Sequence, residues 1–351
     1  MMKNRILLLL AFLLCMGQII GCSQTEPTKI NADEAADQDR VSIVCTTFPS
    51  YDWTRELLKD CKEEAELTLL VDNGVDLHSY QPTAEDIIKI GNADVLIYVG
   101  GESDGWISEA LPKNQNKETI VINLLEELGE GAKIEEMVEG MQEDDHEHEM
   151  ENEEEHIGED EEEPGEHTEN HQEEYDEHIW LSLKNAAVLV GRISDALQSV
   201  SPENSQQVEK NEAAYIEKLE ELDRRYEQVV AESSFNTLVF GDRFPFRYLT
   251  DDYQLNYYAA FSGCSAETEA SFDTIAFLSK KVDEINTPSI MVIESSDQKI
   301  AETVKQNTKE KNQRILVINS IQSVTREDIN SGFTYIQAME DNLAVLNQAL
   351  N

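Results

Sequence analysis

Residues 201–233 read SPENSQQVEKNEAAYIEKLEELDRRYEQVVAES, and this stretch predicts the layout of the chain. Serine followed by proline is a common helix start, and no glycine or proline interrupts the segment after Pro202. Apolar residues recur at helical spacing: Val208, Ala213, Tyr215, Leu219, Leu222, Tyr226 and Val229. About 30 helical residues span about 45 Å, which is too long for burial in one lobe. Since no second heptad segment accompanies it, we expect a rigid strut between two lobes rather than a coiled coil.

Short apolar runs alternate with helical patterns on both sides of this helix. Strands are predicted at 41–47, 67–71, 94–99, 119–122, 237–241, 255–260, 289–293 and 315–319. Helices are predicted at 50–60, 83–92, 105–111, 184–199, 268–285, 297–308 and 333–349. Alternation of this kind predicts an α/β fold with parallel sheets flanked by helices. We expect two lobes, 41–200 and 234–351, each with a roughly four-stranded, mostly parallel sheet, joined by a long rigid α-helix at 201–233, with a ligand site in the cleft.

The first residues predict export. Lys3 and Arg5 precede an apolar run at 6–20, and Gly21-Cys22 follows. This order is typical of a secretory signal peptide, and the small residue before Cys22 resembles a bacterial lipoprotein box. The apolar run is shorter than the roughly 20 residues of a spanning helix, which argues against a transmembrane anchor. We expect a signal peptide at 1–21 and a flexible tether at 22–40, with lipid on Cys22 holding the protein at the outer surface of the membrane.

Composition limits the partners. The formal net charge is −45, which excludes ordinary nucleic-acid binding because phosphate backbones require basic patches. Residues 142–177 contain 20 Asp and Glu and no Lys or Arg, so part of this charge is local. An acidic surface raises the local concentration of cations.

The acidic segment also holds five of the seven histidines, namely His146, His148, His156, His167 and His171. A segment so poor in apolar residues is expected to be disordered. Its histidines are either incidental to a solvated loop or part of a His-rich metal-binding tract. We favour the second interpretation, a loop that gathers metal loosely and releases it quickly.

The other two histidines lie in predicted loops. His78 occurs in Asp76-Leu77-His78-Ser79-Tyr80-Gln81-Pro82-Thr83, after the second strand, and His178 in Asp176-Glu177-His178-Ile179-Trp180-Leu181, after the acidic segment. Each alone is a weak signal, because a single loop histidine is usually a surface residue. Together they suggest a metal site, since imidazole suits zinc, copper, iron and nickel.

Other chemistry is poorly supported. No His-Glu-x-x-His helix, nucleophile elbow or glycine-rich phosphate loop occurs, so we do not expect an enzyme. Cys45, Cys61 and Cys264 remain after Cys15 and Cys22 are assigned to the leader and the lipid site. A Cys45–Cys61 disulfide is possible in an oxidising compartment.

Several motifs resemble one family in the same order along the chain. They are Thr46-Thr47-Phe48-Pro49-Ser50-Tyr51, the His78 and His178 motifs, Ala93-Asp94, Gly101, Trp106, Ser201-Pro202-Glu203-Asn204 and Asn211. From about residue 41 onward the chain is similar to the zinc- and manganese-binding substrate-binding proteins of bacterial ABC importers. The resemblance implies two α/β lobes bridged by a helix, with metal between them. A His-rich acidic insertion before the second histidine motif is typical of the zinc branch.

The resemblance implies that His78 and His178 are ligands from the N-terminal lobe. The C-terminal lobe departs from the family, because Gly241 stands where His or Glu is usual and no acid follows the final strand near 319–322. Asp242, Glu294 and Cys264 are possible replacements, and water could complete the site.

The resemblance also implies capture of Zn²⁺ by a monomer that delivers it to an ABC permease. The alternatives are a manganese-binding homologue, or a surface lipoprotein that buffers metal or mediates adhesion.

Overall fold

The computed structural model describes residues 40–61, 65–111, 116, 118–142, 174–265 and 269–351. The predicted signal peptide, nearly all of the tether including Cys22, and most of the acidic segment lie outside the described residues. That segment's histidines, which also lie outside, are His146, His148, His156, His167 and His171. Residues 41–351 form one compact unit. Within the described ranges, no helix has both the length and the apolar character needed to cross a bilayer.

The first half is built on a four-stranded parallel sheet. Its strands are β1 (Val41–Cys45), β2 (Ala65–Leu69), β3 (Val95–Tyr98) and β4 (Ile120–Asn123). Their order is β2-β1-β3-β4 and every pairing is parallel. Each lies within about two residues of its predicted bounds, because short β-branched runs bounded by polar residues are strong strand signals.

Helices cover both faces of this sheet. They are α1 (Phe48–Leu57), α2 (Ala84–Asn92), α3 (Ile107–Ala110), α4 (Leu124–Leu128) and α5 (Leu183–Val200). Because strand side chains alternate between faces, Ile43 and Ile97 join the large core with α1 and α5, whereas Val44 and Leu96 pack with Ile90 of α2 in a smaller core. The sheet is therefore buried on both sides.

The long helix is α6 (Ser205–Ala231), which continues a 3₁₀ turn at Pro202–Asn204. Its buried stripe is Val208, Tyr215, Leu219, Leu222 and Tyr226, as the helical spacing predicted. Asn211 Nδ2 donates to the carbonyls of Leu57 and Lys59 at 2.9 and 2.7 Å, and Tyr226 Oη donates to Met339 O at 2.6 Å. The helix thus bonds to both halves of the chain along its length, and the predicted long connecting helix is confirmed.

The second half has strands β5 (Thr237–Val239), β6 (Arg243–Phe244), β7 (Asn256–Tyr258), β8 (Phe261–Ser262), β9 (Ser289–Ile293) and β10 (Arg314–Ile318). Its helices are α7 (Arg247–Asp252), α8 (Phe272–Ile285), α9 (Lys299–Asn307), α10 (Arg326–Asn330) and α11 (Tyr335–Ala349). The strands form three parallel pairs, β9–β10, β5–β7 and β6–β8, rather than one regular four-stranded sheet.

Two of these pairs, β5–β7 and β9–β10, are joined beside Gly241. Phe240 bridges Met291 of β9, and Gly241 N donates to Met291 O at 3.0 Å. A Cβ on Gly241 would lie 2.6 Å from Ala301 Cα of α9. Glycine is therefore required here because the helix backbone fills the space that a side chain would need.

The two halves share one apolar core. Trp53 of α1 meets Tyr335 of α11 edge to face at 5.2 Å between ring centroids, and the buried carboxylate of Asp52 accepts a hydrogen bond from Tyr335 N at 2.8 Å. Cys45 and Cys61 are both buried thiols rather than a disulfide, and the Cys45 Sγ lies 3.8 Å from Thr54 Oγ1.

Candidate metal-binding site

Each loop histidine lies in, or directly before, a short 3₁₀ turn, and an aspartate two residues earlier accepts a hydrogen bond from its amide. His78 lies in the turn Leu77–Ser79, and its amide donates to Asp76 Oδ1 at 3.1 Å. His178 directly precedes the turn Ile179–Leu181, and its amide donates to Asp176 Oδ1 at 2.8 Å. The same Asp-x-His spacing therefore builds both loops, because a short acidic side chain readily accepts from the amide two residues on.

The structure brings the two imidazoles together although they are 100 residues apart in sequence. His78 Nε2 and His178 Nε2 are 3.3 Å apart, and the ring centroids are 5.3 Å apart. Two nitrogens that bind one tetrahedral zinc ion at about 2.0–2.1 Å lie about 3.4 Å from each other. The spacing of this pair therefore suits a shared metal ion.

The Nδ1 atom of each ring has a hydrogen-bond partner. His178 Nδ1 lies 2.9 Å from Asp176 Oδ1, so Nδ1–H donates to the carboxylate. His78 Nδ1 lies 2.6 Å from Ser103 Oγ, and the Ser103 hydroxyl in turn hydrogen-bonds to Glu177. Partners of this kind select the Nδ1–H tautomer and leave the Nε2 lone pair for a metal. Both rings are therefore prepared to ligate through Nε2.

The two histidines differ in their affinity for protons. Burial, together with the neighbouring His178, lowers the pKa of His78 to about 4. Burial alone would also lower the pKa of His178, but the Asp176 carboxylate outweighs it and raises that pKa above its ordinary value. His78 is therefore neutral at pH 7, and His178 is the ring whose proton competes with a metal ion.

An ion pair closes one side of the site. Arg243 of β6 donates to Asp76 Oδ2 at 2.8 Å, and both side chains are largely buried. Arg243 also donates to Ser265 O at 3.4 Å. Because Asp76 caps the His78 turn, Arg243 ties the first histidine loop to the loop after β8.

Cys264 lies near the two histidines and is the third residue here whose side chain is able to bind a metal. Within the described part of the chain, one cluster of His, Cys, Asp and Glu has ligand atoms mutually within 4.8 Å, and it consists of His78, His178 and Cys264. Burial raises the pKa of the Cys264 thiol well above its usual range, so the sulfur carries a proton until a cation displaces it.

The structure gives the predicted acidic ligands other partners. Asp242 accepts from the amides of Arg243 and Ile293 at 2.8 and 3.4 Å, and burial raises its pKa. Glu294 accepts from Ser320 N and Ser320 Oγ, each at 2.7 Å. Both carboxylates join strand ends, and neither belongs to the cluster. Their ligand role stays a prediction, and the geometry favours Cys264 over both.

Sequence reasoning missed the residues that support the ligands. Ser103 and Arg243 carry no local signal, because only the folded chain brings them to the histidines. Asp176 and Glu177 were visible beside His178, and the repeated Asp-x-His spacing could have identified Asp76 and Asp176 as supporting groups.

The family model of ZnuA, described as the periplasmic component A of the zinc-uptake complex, matches residues 43–349. The chain belongs to the ZnuA family. This confirms the resemblance inferred from the His78 and His178 motifs, and the family is one of substrate-binding components rather than of enzymes.

The most similar relatives include named zinc proteins. The zinc-binding lipoprotein AdcA of Streptococcus pneumoniae (strain R6) is 32% identical over 345 residues, which are 98% of this chain and 61% of that protein. The high-affinity zinc uptake system protein ZnuA of Bacillus subtilis is 28% identical over 336 residues, 96% of this chain and 95% of that protein. The chain thus spans about three fifths of the AdcA proteins that it matches.

Solved structures share the fold. The Zn(II)-bound ZnuA-like domain of S. pneumoniae AdcA has a TM-score of 0.64 and 28% identity, over 89% of this chain and 99% of that one. The metal-dependent lipoprotein YcdH of B. subtilis has a TM-score of 0.67 and 24% identity, over 89% of this chain and 99% of that one. The α/β architecture with a long connecting helix is therefore confirmed.

The two ligand histidines should titrate in a fixed order. As the pH falls from neutral, His178 should protonate first, above the ordinary histidine value of about 6.5, and His78 only near pH 4. Ring-carbon NMR shifts, assigned with His78→Gln and His178→Gln, measure both midpoints. In Asp176→Asn the His178 midpoint should fall, because burial then opposes the charge without the carboxylate. Protonation of His78 before His178 would contradict this assignment.

Proposed function

We propose that this protein is an extracytoplasmic solute-binding protein that captures Zn²⁺ between His78 and His178 and delivers it to an ABC importer. The observation that carries the proposal is the 3.3 Å separation of the two Nε2 atoms. Because both Nδ1 atoms have hydrogen-bond acceptors, each ring presents a free lone pair to the same point. One chain supplies the whole site, so we propose that a monomer suffices.

Zinc is the cargo that this donor set favours. Imidazole is a good ligand for zinc, whereas manganese prefers carboxylate, carbonyl and water oxygens. Asp176 and Glu177 support the Nδ1 side of the rings. Asp76 Oδ1 lies 4.0 Å from His78 Nε2, and its other oxygen is paired with Arg243. Relatives named for zinc binding and zinc uptake support the same choice. Manganese remains the nearest alternative cargo.

The acidic segment at 142–177 would gather the ion first. Its five histidines among carboxylates offer many weak sites. Its last residues, Asp176 and Glu177, are the groups that support the two ligand rings. A cation bound by the segment would therefore need to move only along this segment, toward Asp176 and Glu177, to reach the cleft.

Release is expected to involve loops rather than a wide hinge. The long helix bonds to both halves and a common core joins them, which opposes large rotations. The Arg243–Asp76 ion pair is a smaller element that can open. We propose that docking on the permease loosens the loops around this pair and frees the ion.

Removing both rings should abolish tight zinc binding. We expect His78→Ala/His178→Ala to weaken the high-affinity site by more than about a hundredfold, since losing even an outer partner of a ligand costs roughly 10–100-fold. Competition with a fluorescent zinc chelator measures the dissociation constant. The matched control is His167→Ala/His171→Ala, which removes two imidazoles from the acidic segment and should keep the tight site. Unchanged tight binding in the first variant would refute the proposal.

A growth experiment distinguishes zinc transport from metal buffering or adhesion. A deletion strain should grow poorly under zinc chelation, and added zinc or the wild-type gene should restore growth. The gene for the double histidine variant should not, although the protein is made. A strain whose growth does not depend on this gene under zinc limitation would favour the buffering or adhesion alternative.

Anchoring is proposed to depend on Cys22. Gly21-Cys22 after the apolar run provides the lipidation signal, and one lipid-modified cysteine would hold the cleft close to the permease. In Cys22→Ser the protein should move from the membrane fraction to the soluble fraction, as measured by immunoblot, and its zinc affinity should not change. Equal membrane retention of both proteins would contradict lipid attachment at this residue.

A further inference from the structure

We propose that Cys264 is the third protein ligand, binding as a thiolate from the second half of the chain, and that its sulfur makes the site select zinc over manganese. This inference rests on the proposed function, because it presupposes a metal ion between His78 and His178. It goes beyond that function by naming the residue that sets the choice of metal.

The first support is placement. Cys264 Sγ, one ring nitrogen of His78 and one ring nitrogen of His178 lie within 4.8 Å of one another. A zinc–sulfur bond of about 2.3 Å beside zinc–nitrogen bonds of about 2.0 Å places sulfur about 3.5 Å from each nitrogen. The sulfur is therefore at most about 1.3 Å farther from these nitrogens than a zinc-bound sulfur would be, a difference that a side-chain movement can cover.

The second support is the way the loop is built. A Cβ on Gly263 would lie 3.0 Å from His178 Cε1, 3.1 Å from His178 Nδ1 and 3.0 Å from Phe244 O. Glycine therefore lets the backbone rest directly on the ligand ring. The next amide, Cys264 N, donates to Glu135 Oε1 at 2.9 Å. These contacts hold the backbone of residue 264 beside the imidazole pair.

The third support is that the other candidate ligands from the second half, and Glu177, have other partners or lie in other positions. Gly241 has no side chain, and α9 fills the space beside it. Asp242 and Glu294 accept hydrogen bonds from strand-end amides. Glu177 lies near the His78 ring, but its Oε2 faces Nδ1 at 3.7 Å rather than the metal side. Cys264 is thus the donor from the second half that joins both rings within the described residues.

The chemistry predicts selectivity. A thiolate is a soft ligand that binds zinc strongly, whereas manganese favours hard oxygen ligands. On binding, zinc displaces the thiol proton to solvent and forms a Zn–S bond. Two imidazoles, one thiolate and one water would complete a four-coordinate ion, and the water position leaves the site open for exchange.

The test uses cobalt as a spectroscopic probe in the purified full-length protein. Co²⁺-loaded wild type should show a thiolate-to-cobalt charge-transfer band in the near ultraviolet. The band should disappear in Cys264→Ser and persist in Cys61→Ser, which removes a thiol outside the cluster. Absence of the band from wild type, or its survival in Cys264→Ser, would overturn the inference.

Competition titrations test selectivity in the same proteins. Zinc affinity should fall about 10–100-fold in Cys264→Ser, whereas manganese affinity should change by less than about threefold, so the zinc-to-manganese ratio collapses. An unchanged ratio would overturn the inference. If Cys264→Ser binds zinc like wild type but the double histidine variant does not, only this inference fails. If the double histidine variant binds normally, the proposed function itself fails.

A measurement on the wild-type protein tests the inference without relying on a variant that could fail to fold. Zinc K-edge X-ray absorption of the Zn²⁺-loaded protein should show one sulfur scatterer at about 2.3 Å beside nitrogen and oxygen scatterers at about 2.0–2.2 Å. A zinc coordination shell of nitrogen and oxygen alone would overturn the inference.

Discussion

The contact between His78 and His178 is the constraint on which the rest of the site depends. Two imidazoles 3.3 Å apart and largely removed from water must each satisfy an Nδ1–H, because a buried polar atom without a partner is costly. Asp176 does this for His178 directly, and Ser103 with Glu177 does it for His78. Asp176 and Glu177 therefore lie on the Nδ1 side of the rings, and the Nε2 atoms face each other on the other side.

The segment that carries Asp176 and Glu177 is held by the surrounding fold. Asp176 N donates to Lys133 O at 2.8 Å, and Tyr248 Oη donates to Asp176 O at 2.9 Å. A Cβ on Gly101 would lie 2.1 Å from Glu177 Oε1, so only glycine leaves room for this carboxylate. Burial raises the pKa of Glu177 and raises that of Asp104 to about 7. A divalent ion bound by the two rings would add positive charge near Glu177 and so favour its ionised form.

The polar groups of the second half near the cleft differ in their partners. Asp242 and Glu294 join the ends of neighbouring strands through backbone amides, and α9 packs so closely on Gly241 that no side chain fits there. The loop after β8 approaches the rings instead, and Arg243 fixes that loop to the His78 turn through Asp76. The proposed contribution of this half to the site therefore comes from the loop after β8 rather than from the end of β5.

The sequence by itself determined the four strands of the first half, the long helix and the two histidine loops. These follow from local patterns, namely β-branched runs, apolar spacing along 201–233 and Asp-x-His turns, which are recognisable without knowledge of any distant contact. The sequence also sufficed to identify the family, because several of its motifs occur in this chain in the same order. Only the tertiary structure decided which groups meet. Ser103, Arg243 and Cys264 reach the histidines across long stretches of chain, and Asp242 lies elsewhere although it is close in sequence to Gly241. Whether a side chain faces the cleft depends on how helices and loops pack around it, and no local pattern records that packing.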